Sequence, residues 1–140
     1  MGSATYEWML AHFVGGTPSR AWPYSQPTWV FSTRKLPDVP GADIRFVKGD
    51  VGPVHAEMAR AADGKDLWLV GGGELVGQFH DKGLLDEIQV WMGSVTLGAG
   101  KPLLPRLITS PTLRLASARQ VGPSFAELIY RVEKVAPGGR

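Results

Sequence analysis

Hydrophobic positions in the first half of the chain alternate between helical and strand-like spacing. Apolar side chains at helical spacing predict a helix over residues 5–13. Runs rich in β-branched and aromatic residues predict short strands at 28–31 and 44–47. A proline near a first turn, followed by an alanine-rich stretch, predicts a helix over 53–62. Helices and strands therefore alternate in this half.

The centre of the chain carries its most distinctive pattern. A continuous apolar run at residues 67–70 predicts a strand that is covered on both faces. A glycine triplet at 71–73 follows it, and apolar spacing over 74–82 predicts a helix that ends at Gly83. Bare backbone before a helix lets an anion reach the free N–H groups and the positive end of the helix dipole. We therefore expect this turn to hold the phosphates of a nucleotide cofactor.

Strands dominate the last third of the chain. They are predicted at 87–95, 112–121 and 125–135, the last two paired through a turn at 122–124, and the tail 137–140 is expected to fray. Alternating helices and strands followed by strands alone are typical of an α/β domain with a parallel sheet and an antiparallel C-terminal edge. A chain of 140 residues, 44% of them hydrophobic, suits one domain over 1–140.

The spacing of the glycine triplet does not by itself prove a cofactor site. If Gly71 and Gly73 are the first two glycines of a dinucleotide-binding fingerprint, Val76 stands where the third belongs, and Gly77 comes one residue late. No Gly-Lys-Ser/Thr follows, so the turn is not a P-loop. A tight turn without a ligand is therefore as well supported by the spacing as a cofactor turn.

Two further segments combine groups that suit an anion. Residues 32–35, Ser-Thr-Arg-Lys, offer two hydroxyls and two cations just after a strand, although a solvated turn is the favoured explanation of this segment alone. Residues 2–5, Gly-Ser-Ala-Thr, open the first helix as a second potential anion site, although ordinary capping by Ser3 or Thr5 is the favoured explanation of this segment alone. Neither segment alone points to a ligand.

Composition narrows the function classes. The chain has no cysteine, which excludes disulfides, zinc–thiolate clusters and thiol nucleophiles, and its isolated histidines predict no metal site. The net charge of +2 comes from scattered basic residues, which is a weak basis for nucleic-acid binding.

No apolar stretch approaches the roughly 20 residues of a membrane span. The start has no signal-peptide pattern, so a cytoplasmic protein is expected. The tryptophans expected mostly in the core are Trp8, Trp29, Trp68 and Trp91.

Three motifs together carry a family resemblance. They are the glycine triplet within residues 66–75, a Leu-Asp-Glu within 83–88, and a Leu-Gly-x-Gly-x-Pro-Leu loop at 97–103. With them the chain resembles the dihydrofolate reductase-like superfamily. It is most similar there to the reductase domain of the bifunctional riboflavin-biosynthesis deaminase-reductase and its stand-alone relatives. The resemblance covers nearly the whole chain.

The resemblance implies an α/β fold, a dihydrofolate reductase-like three-layer sandwich with a mostly parallel central sheet and an antiparallel C-terminal edge. It implies NADPH as the cofactor and a cis peptide between the first two glycines of the triplet. The start of the first helix then meets the cofactor phosphates, and the hydroxyls after the strand meet the adenosine 2′-phosphate. The implied cofactor-binding residues are Gly2, Ser3, Thr5, Ser32, Thr33, Arg34, Gly71, Gly72, Gly73, Glu74 and Leu75.

Two departures from the family pattern affect these expectations. Ser3 stands where the family usually has arginine, and Arg34 or Lys35 is the candidate to replace that charge in selecting NADPH over NADH. The family's first strand and helix precede the segment that here begins at Met1, so we expect a fold that lacks that strand. A truncated form of a longer protein is the favoured explanation, and a partner that fills the gap or a rearranged sheet are the alternatives.

The function implied by the resemblance is hydride transfer from NADPH to a small heterocyclic or sugar-derived substrate. The enzyme would be 5-amino-6-(5-phosphoribosylamino)uracil reductase-like or dihydrofolate reductase-like, and a homodimer is expected. No catalytic residue is assigned, because the segment expected to carry it is absent from the sequence. The alternative is a catalytically inactive or truncated relative that serves as a nucleotide-binding or dimerisation module.

Overall fold

Two compact units follow one another along the chain, Met1–Gln78 and Phe79–Arg140, and each has its own sheet. The computed structural model describes residues 1–15 and 21–134. Because the chain divides in this way, the single domain expected over 1–140 stays a prediction.

The elements of the first unit lie close to their predicted positions. In chain order they are α1 (Ser3–Met9), a π-helix that continues it (Leu10–Val14), β1 (Thr28–Phe31), β2 (Ile44–Val47), α2 (Val51–Ala62) and α3 (Gly73–Asp81), which runs across the boundary into the second unit. Both strands have the predicted bounds, and the helices differ from prediction by a few residues at their ends. None of the described helices is long and apolar enough to cross a membrane.

Helix α2 begins two residues before the proline that predicted it, because a cap lies upstream. The Asp50 carboxylate accepts a hydrogen bond of 2.7 Å from the Gly52 N–H, which satisfies one of the free donors of the first turn. Val54 and Met58 lie on its buried face. The helix ends at Ala62, and the next residue, Asp63, caps it in a left-handed conformation with φ of 51°.

The core of the first unit forms around Tyr6 on α1. Its side chain is fully buried and clusters with Met1, Met9 and Val30. The Tyr6 hydroxyl donates a hydrogen bond of 2.8 Å to the Pro37 carbonyl, so its polar end is satisfied although the ring is buried. Strand β1 pairs in parallel with β2. The helical spacing of the first segment thus places its apolar face against β1.

The prediction of a strand covered on both faces at residues 67–70 is wrong. No described strand pairs with this segment, and the Trp68 side chain is 72% exposed. A strand is stabilised by hydrogen bonds to its neighbours. In the first unit β1 pairs with β2 along one edge, and Met1 and Gly2 lie along its other edge. The apolar run therefore lacks the neighbour that would make it a strand.

The second unit contains an antiparallel sheet of order β3-β5-β4. Its strands are β3 (Glu87–Gly93), β4 (Leu113–Val121) and β5 (Phe125–Val132), and the β4–β5 turn lies at the predicted place, with Gly122 at φ of 59°. Strand β3 ends two residues before its predicted end. The last residue of the predicted 125–135 strand and the tail 137–140 lie outside the described residues. The predicted antiparallel C-terminal strands are otherwise present.

The two faces of this sheet differ in polarity. Directly paired residues of neighbouring strands share a face. On one face Glu87 pairs with Arg131 at 2.7 Å, and the buried Glu127 carboxylate pairs with Arg119. The other, which we call the apolar face, carries Ile88, Val90, Met92, Leu115, Leu128 and Tyr130. None of these six side chains is fully buried.

The expectation that four tryptophans lie mostly in the core is correct only for Trp29. Trp8, Trp68 and Trp91 are each more than half exposed. Trp8 stacks on His12 one helical turn away, with ring centroids 4.3 Å apart, and the Trp91 indole N–H donates to Glu127 at 3.1 Å. Large aromatic rings can satisfy such local contacts at the surface, so ring size alone did not indicate burial.

Candidate functional site

The three predicted anion-binding segments meet beside the carboxyl end of β1. The Met1 carbonyl accepts a hydrogen bond of 2.9 Å from the Phe31 N–H, and Gly2 forms a parallel bridge to the same residue. On its other side, the Gly2 N–H donates to the Gly71 carbonyl at 2.8 Å. The start of α1 is therefore held between the end of β1 and the glycine turn, although these segments are far apart in sequence.

The glycine turn presents bare backbone to open space. Gly71 has φ of +116°, a conformation that side chains rarely adopt, and the peptide from Gly71 to Gly72 is cis, as the resemblance implied. A Cβ added at Gly72 would meet no protein atom within 4 Å. A larger side chain at this position would therefore fill the space in front of the turn without clashing with the protein. This space is the cradle that a phosphate could approach.

Helix α3 begins at this turn. Its first residue is Gly73, and the Val76 N–H donates to the Gly72 carbonyl at 3.2 Å. The N–H groups of a first helical turn have no acceptors within the helix, so they can meet an anion. Leu75 is buried and can offer only its backbone, whereas Glu74 is exposed in the first turn. The Glu74 carboxylate complements the helix dipole but is not a ligand for a phosphate.

The start of α1 lies against the same turn. Gly2 is its N-cap and makes no side-chain cap, so neither Ser3 nor Thr5 caps the helix. Both side chains are half-buried, and a Cβ at Gly71 would lie 3.9 Å from the Thr5 hydroxyl oxygen. The Thr5 hydroxyl therefore borders the glycine turn directly.

The turn after β1 is organised by its own serine. The Ser32 hydroxyl accepts from the Arg34 N–H and donates to the Arg34 carbonyl, both at 3.0 Å, while Thr33 is exposed. This local pattern is a common hydroxyl turn. It fixes the direction in which the chain leaves the strand and so positions the Arg34 side chain.

Arg34 forms a bidentate ion pair with Glu7 of α1. Its two terminal nitrogens lie 2.9 and 2.8 Å from the two carboxylate oxygens. Hydrogen bonds from this guanidinium hold the pKa of Glu7 below its usual value. Of the two cations proposed to replace the missing family arginine, both are exposed, and Arg34 is oriented by this ion pair.

Glu7 is the residue of this site that the sequence did not single out as a participant. It lies two positions after Thr5, yet its partner is 27 positions along the chain. Spacing rules detect neighbours within a helix or strand, not pairs that only the tertiary fold brings together. All the predicted cofactor-binding residues lie in the first unit, and the three segments that carry them are in contact.

The comparisons with known proteins agree with this geometry. The model of the RibD C-terminal domain matches residues 19–126, which is more than half of the chain. The chain belongs to the RibD C-terminal domain family. Gly2, Ser3 and Thr5 lie outside the matched range, so their place at the site rests on their contacts with Phe31 and the glycine turn.

The curated relatives that this chain matches are longer than the chain. It is 29% identical over 122 residues to the uncharacterized protein YwjB of Bacillus subtilis, covering 87% of this chain and 66% of the relative. It is 34% identical over 67 residues to the uncharacterized protein YyaP of the same organism, covering 48% of this chain and 36% of the relative. The chain thus spans less than two thirds of the length of either curated relative in these matches.

A solved structure shows the same fold. A protein of Shewanella sp. PV-4 assigned to riboflavin biosynthesis superposes with a TM-score of 0.71 at 26% identity, covering 96% of this chain and 72% of that one. The resemblance to the RibD C-terminal reductase domain and the dihydrofolate reductase-like α/β class predicted from the sequence are confirmed.

Proposed function

We propose that this member of the RibD C-terminal domain family is a reductase that binds NADPH across its glycine turn. The observation that carries the proposal is the junction of Gly2 and Gly71, which joins two helix starts in front of an open glycine backbone. Membership of the family supports a reductase, and the assignment of the Shewanella relative supports a role in riboflavin biosynthesis.

The residues present fit such a cofactor. The bare backbone of Gly71, Gly72 and Gly73 and the first turn of α3, at Glu74 and Leu75, suit the pyrophosphate. At the start of α1, Ser3 and Thr5 add N–H and hydroxyl donors, while the Gly2 N–H bonds to the Gly71 carbonyl and joins this start to the glycine turn.

Ser32, Thr33 and Arg34 suit the adenosine 2′-phosphate, because a guanidinium has five N–H donors and the Glu7 carboxylate accepts only two of those of Arg34. When bound, NADPH supplies the hydride, and the chain holds and orients it. The substrate we propose is a small heterocyclic or sugar-derived acceptor, and no residue is assigned as a catalytic acid.

The sharpest test is Gly72→Val. Because a Cβ here meets no protein atom, we expect the variant to fold with an unchanged Tm and to lose NADPH binding. Calorimetric titration gives the affinity, and thermal unfolding gives a second measure, because a ligand at 100 times its Kd adds about 2.7 kcal/mol of stability. The matched control is Gly100→Val in the second unit, where an added Cβ also meets open space.

Three results separate the outcomes. NADPH binding by the parent and by Gly100→Val, but not by Gly72→Val, is the expected result. Equal binding by both variants would refute the role of the glycine turn. Binding of NADPH without loss of its reduced-nicotinamide absorbance in the presence of candidate acceptors would instead favour a nucleotide-binding module without turnover.

A further inference from the structure

The face of the β3-β5-β4 sheet opposite the apolar face gathers side chains from all three strands, and we call it the charged face. Direct pairing places Trp91, Glu127 and Arg119 in one row across the sheet. In the next row Phe125 of β5 pairs with Gly93 of β3. Strand pairing thus brings together aromatic and cationic side chains that are scattered along the sequence.

Two exposed aromatic rings on neighbouring strands lie at one end of the charged face. Trp91 is 56% exposed and Phe125 is 47% exposed, and their ring centroids are 6.1 Å apart. The Trp91 indole is held by its N–H bond of 3.1 Å to Glu127, which lies in the plane of the ring and uses neither of its faces. Exposed rings on adjacent strands of a sheet are a platform on which nucleobases can stack.

The guanidinium groups on this face are more exposed than the carboxylates that pair with them. The Arg119 side chain is 60% exposed, whereas Glu127 is buried. The Arg131 side chain is 56% exposed and that of its partner Glu87 is 26% exposed. Arg119 bonds to Glu127 through its Nε, so the N–H groups of its two terminal nitrogens lie beyond this bond. An approaching ligand therefore meets cations first, and guanidiniums suit phosphate.

We propose that the charged face binds single-stranded nucleic acid. Bases stack on Trp91 and Phe125, which is a contact that every base can make. Phosphates are bound by Arg119 and Arg131. The six residues from Phe125 to Arg131 extend about 20 Å along β5, which is long enough for several nucleotides.

Nucleic acid fits this face better than an acidic peptide does. Each nucleotide carries both a flat base and a phosphate, so one repeating unit matches the rings and the cations together. An acidic peptide supplies the negative charge, but only an added aromatic residue would cover Trp91 or Phe125. The combination of rings and guanidiniums on one sheet face therefore favours the nucleic acid.

The carboxylates beneath the cations limit the strength of this binding. Glu127 and Glu87 balance Arg119 and Arg131, so long-range attraction is small, and we expect a Kd on the order of 10 μM. Neutralising two phosphates of a single strand gives a slope of about −1.4 for log K against log salt concentration. The salt dependence should therefore be shallow.

Fluorescence anisotropy with a labelled oligothymidine of about 12 nucleotides tests the proposal. The matched ligand is an abasic strand of the same length, which keeps the phosphates and lacks the bases. A duplex of that length is the second comparison, because its bases are already stacked on one another. We expect both to bind at least about tenfold more weakly than oligothymidine.

Variants separate the rings from the cations. Phe125→Ala should weaken binding at least about fivefold, whereas Met92→Ala, which changes a 54% exposed residue of the apolar face, should leave it unchanged. The double variant Arg119→Gln/Glu127→Gln removes the guanidinium without leaving a buried carboxylate, and should reduce the salt slope by about 0.7. Glu127→Gln alone removes only the opposing charge, so it should bind at least as tightly as the parent.

Several results would overturn the proposal. They are equal binding of oligothymidine and the abasic strand, unchanged affinity in Phe125→Ala, and no binding at 100 times the expected Kd, about 1 mM. If Phe125→Ala does not fold, an unchanged salt slope in the double variant is decisive against it. An acidic, phenylalanine-containing peptide that displaces the oligonucleotide at lower concentration would assign the face to a protein partner instead.

The outcome is independent of the proposed reductase function. Gly72→Val changes the glycine turn of the first unit, whereas the charged face lies in the second unit. We expect Gly72→Val to bind oligothymidine as the parent does. Loss of NADPH binding and loss of oligonucleotide binding can therefore be told apart in the same set of variants.

Discussion

Two neighbouring cations, Arg34 and Lys35, follow β1, and only one of them is held in place. Both side chains are exposed, but the Arg34 guanidinium is bound by the Glu7 carboxylate and the Arg34 backbone is bound by the Ser32 hydroxyl. A side chain that is already ordered loses less conformational freedom when it binds a ligand. We therefore expect Arg34, rather than Lys35, to bind the 2′-phosphate of NADPH.

We expect Arg34→Ala to weaken NADPH binding about tenfold and to leave NADH binding nearly unchanged, because only NADPH carries the 2′-phosphate that a guanidinium can pair with. Titration of each variant with both dinucleotides measures the preference. Lys35→Ala is the matched comparison, since it removes a neighbouring charge that is not anchored. A loss confined to Lys35→Ala would assign the role to the lysine.

Glu7→Gln controls for the ion pair itself. It removes the carboxylate that orients Arg34 but keeps the guanidinium, so the preference for NADPH should be reduced yet retained. If Glu7→Gln and Arg34→Ala were equally unselective, orientation rather than charge would carry the preference. If neither changed it, the assignment of this turn to the 2′-phosphate would be wrong.

Among the elements, β5 carries an unusual buried carboxylate. Glu127 is 5% exposed, accepts from the Trp91 indole at 3.1 Å and pairs with Arg119. These hydrogen bonds, chiefly from Arg119, lower the pKa of Glu127 below 4.5, its ordinary value. The ionised form is therefore bound more tightly in the folded sheet than in the unfolded chain. Cross-strand contacts of this kind link all three strands of the second unit.

The pH dependence of stability follows from this shift. Because the pKa is lower in the folded state, Glu127 stabilises the fold above pH 4.5 and loses that contribution as the pH falls through the folded value. Glu127→Gln cannot ionise, so we expect it to be less stable than the parent at neutral pH, with a difference that shrinks on acidification. Urea unfolding across this range measures it.

The control for this prediction is Glu133→Gln. Glu133 pairs with Arg114 at 3.0 Å, but both side chains are more than half exposed, and exposed ion pairs contribute little to stability. Glu133→Gln should therefore change the free energy of unfolding only slightly at every pH. A parallel pH profile for the parent and Glu127→Gln would contradict the assigned role of Glu127.

How far the elements could be predicted depended on whether their stabilising contacts are local. The helices and the strands at 28–31 and 44–47 follow from side-chain spacing and caps, which lie within a few residues of each position. The run at 67–70 has the composition of a central strand but lacks the neighbour that would pair with it. The composition of a segment indicates how much apolar surface it can bury. Whether the segment forms a strand also depends on a partner segment elsewhere in the fold, which the spacing of its own residues does not reveal.

At the scale of the whole molecule, the candidate site combines three segments that each predict an anion site only weakly. The glycine turn, the start of α1 and the turn after β1 are each ambiguous alone, and the family resemblance predicted their association. The contacts of Gly2 with both Phe31 and Gly71 show that the three segments lie side by side, and their role in binding a cofactor stays a prediction. The Glu7–Arg34 pair was beyond prediction, because no rule of spacing links positions that only the folded chain brings together.

The homodimer expected from the resemblance stays a prediction, and the apolar face of the second unit is the surface that bears on it. Met92 and Leu115 on this face are 54% and 53% exposed, although the opposite face holds the ion pairs. An exposed apolar sheet face is a common site of self-association, since its burial contributes about 25 cal/mol per Å². We therefore expect a dimer in sedimentation velocity at micromolar concentration.

Leu115→Lys tests whether this face forms the contact. A charge placed on it would be buried without a partner in the dimer, so we expect the dissociation constant to rise at least about tenfold. The matched control is Leu107→Lys, which replaces a leucine that is more exposed, at 94%, but lies outside the strands. Dissociation by both variants alike would indicate general solubility rather than this face, and a parent that stays monomeric at every concentration would contradict the dimer. Dissociation by Leu115→Lys alone assigns the contact to the β3-β5-β4 sheet.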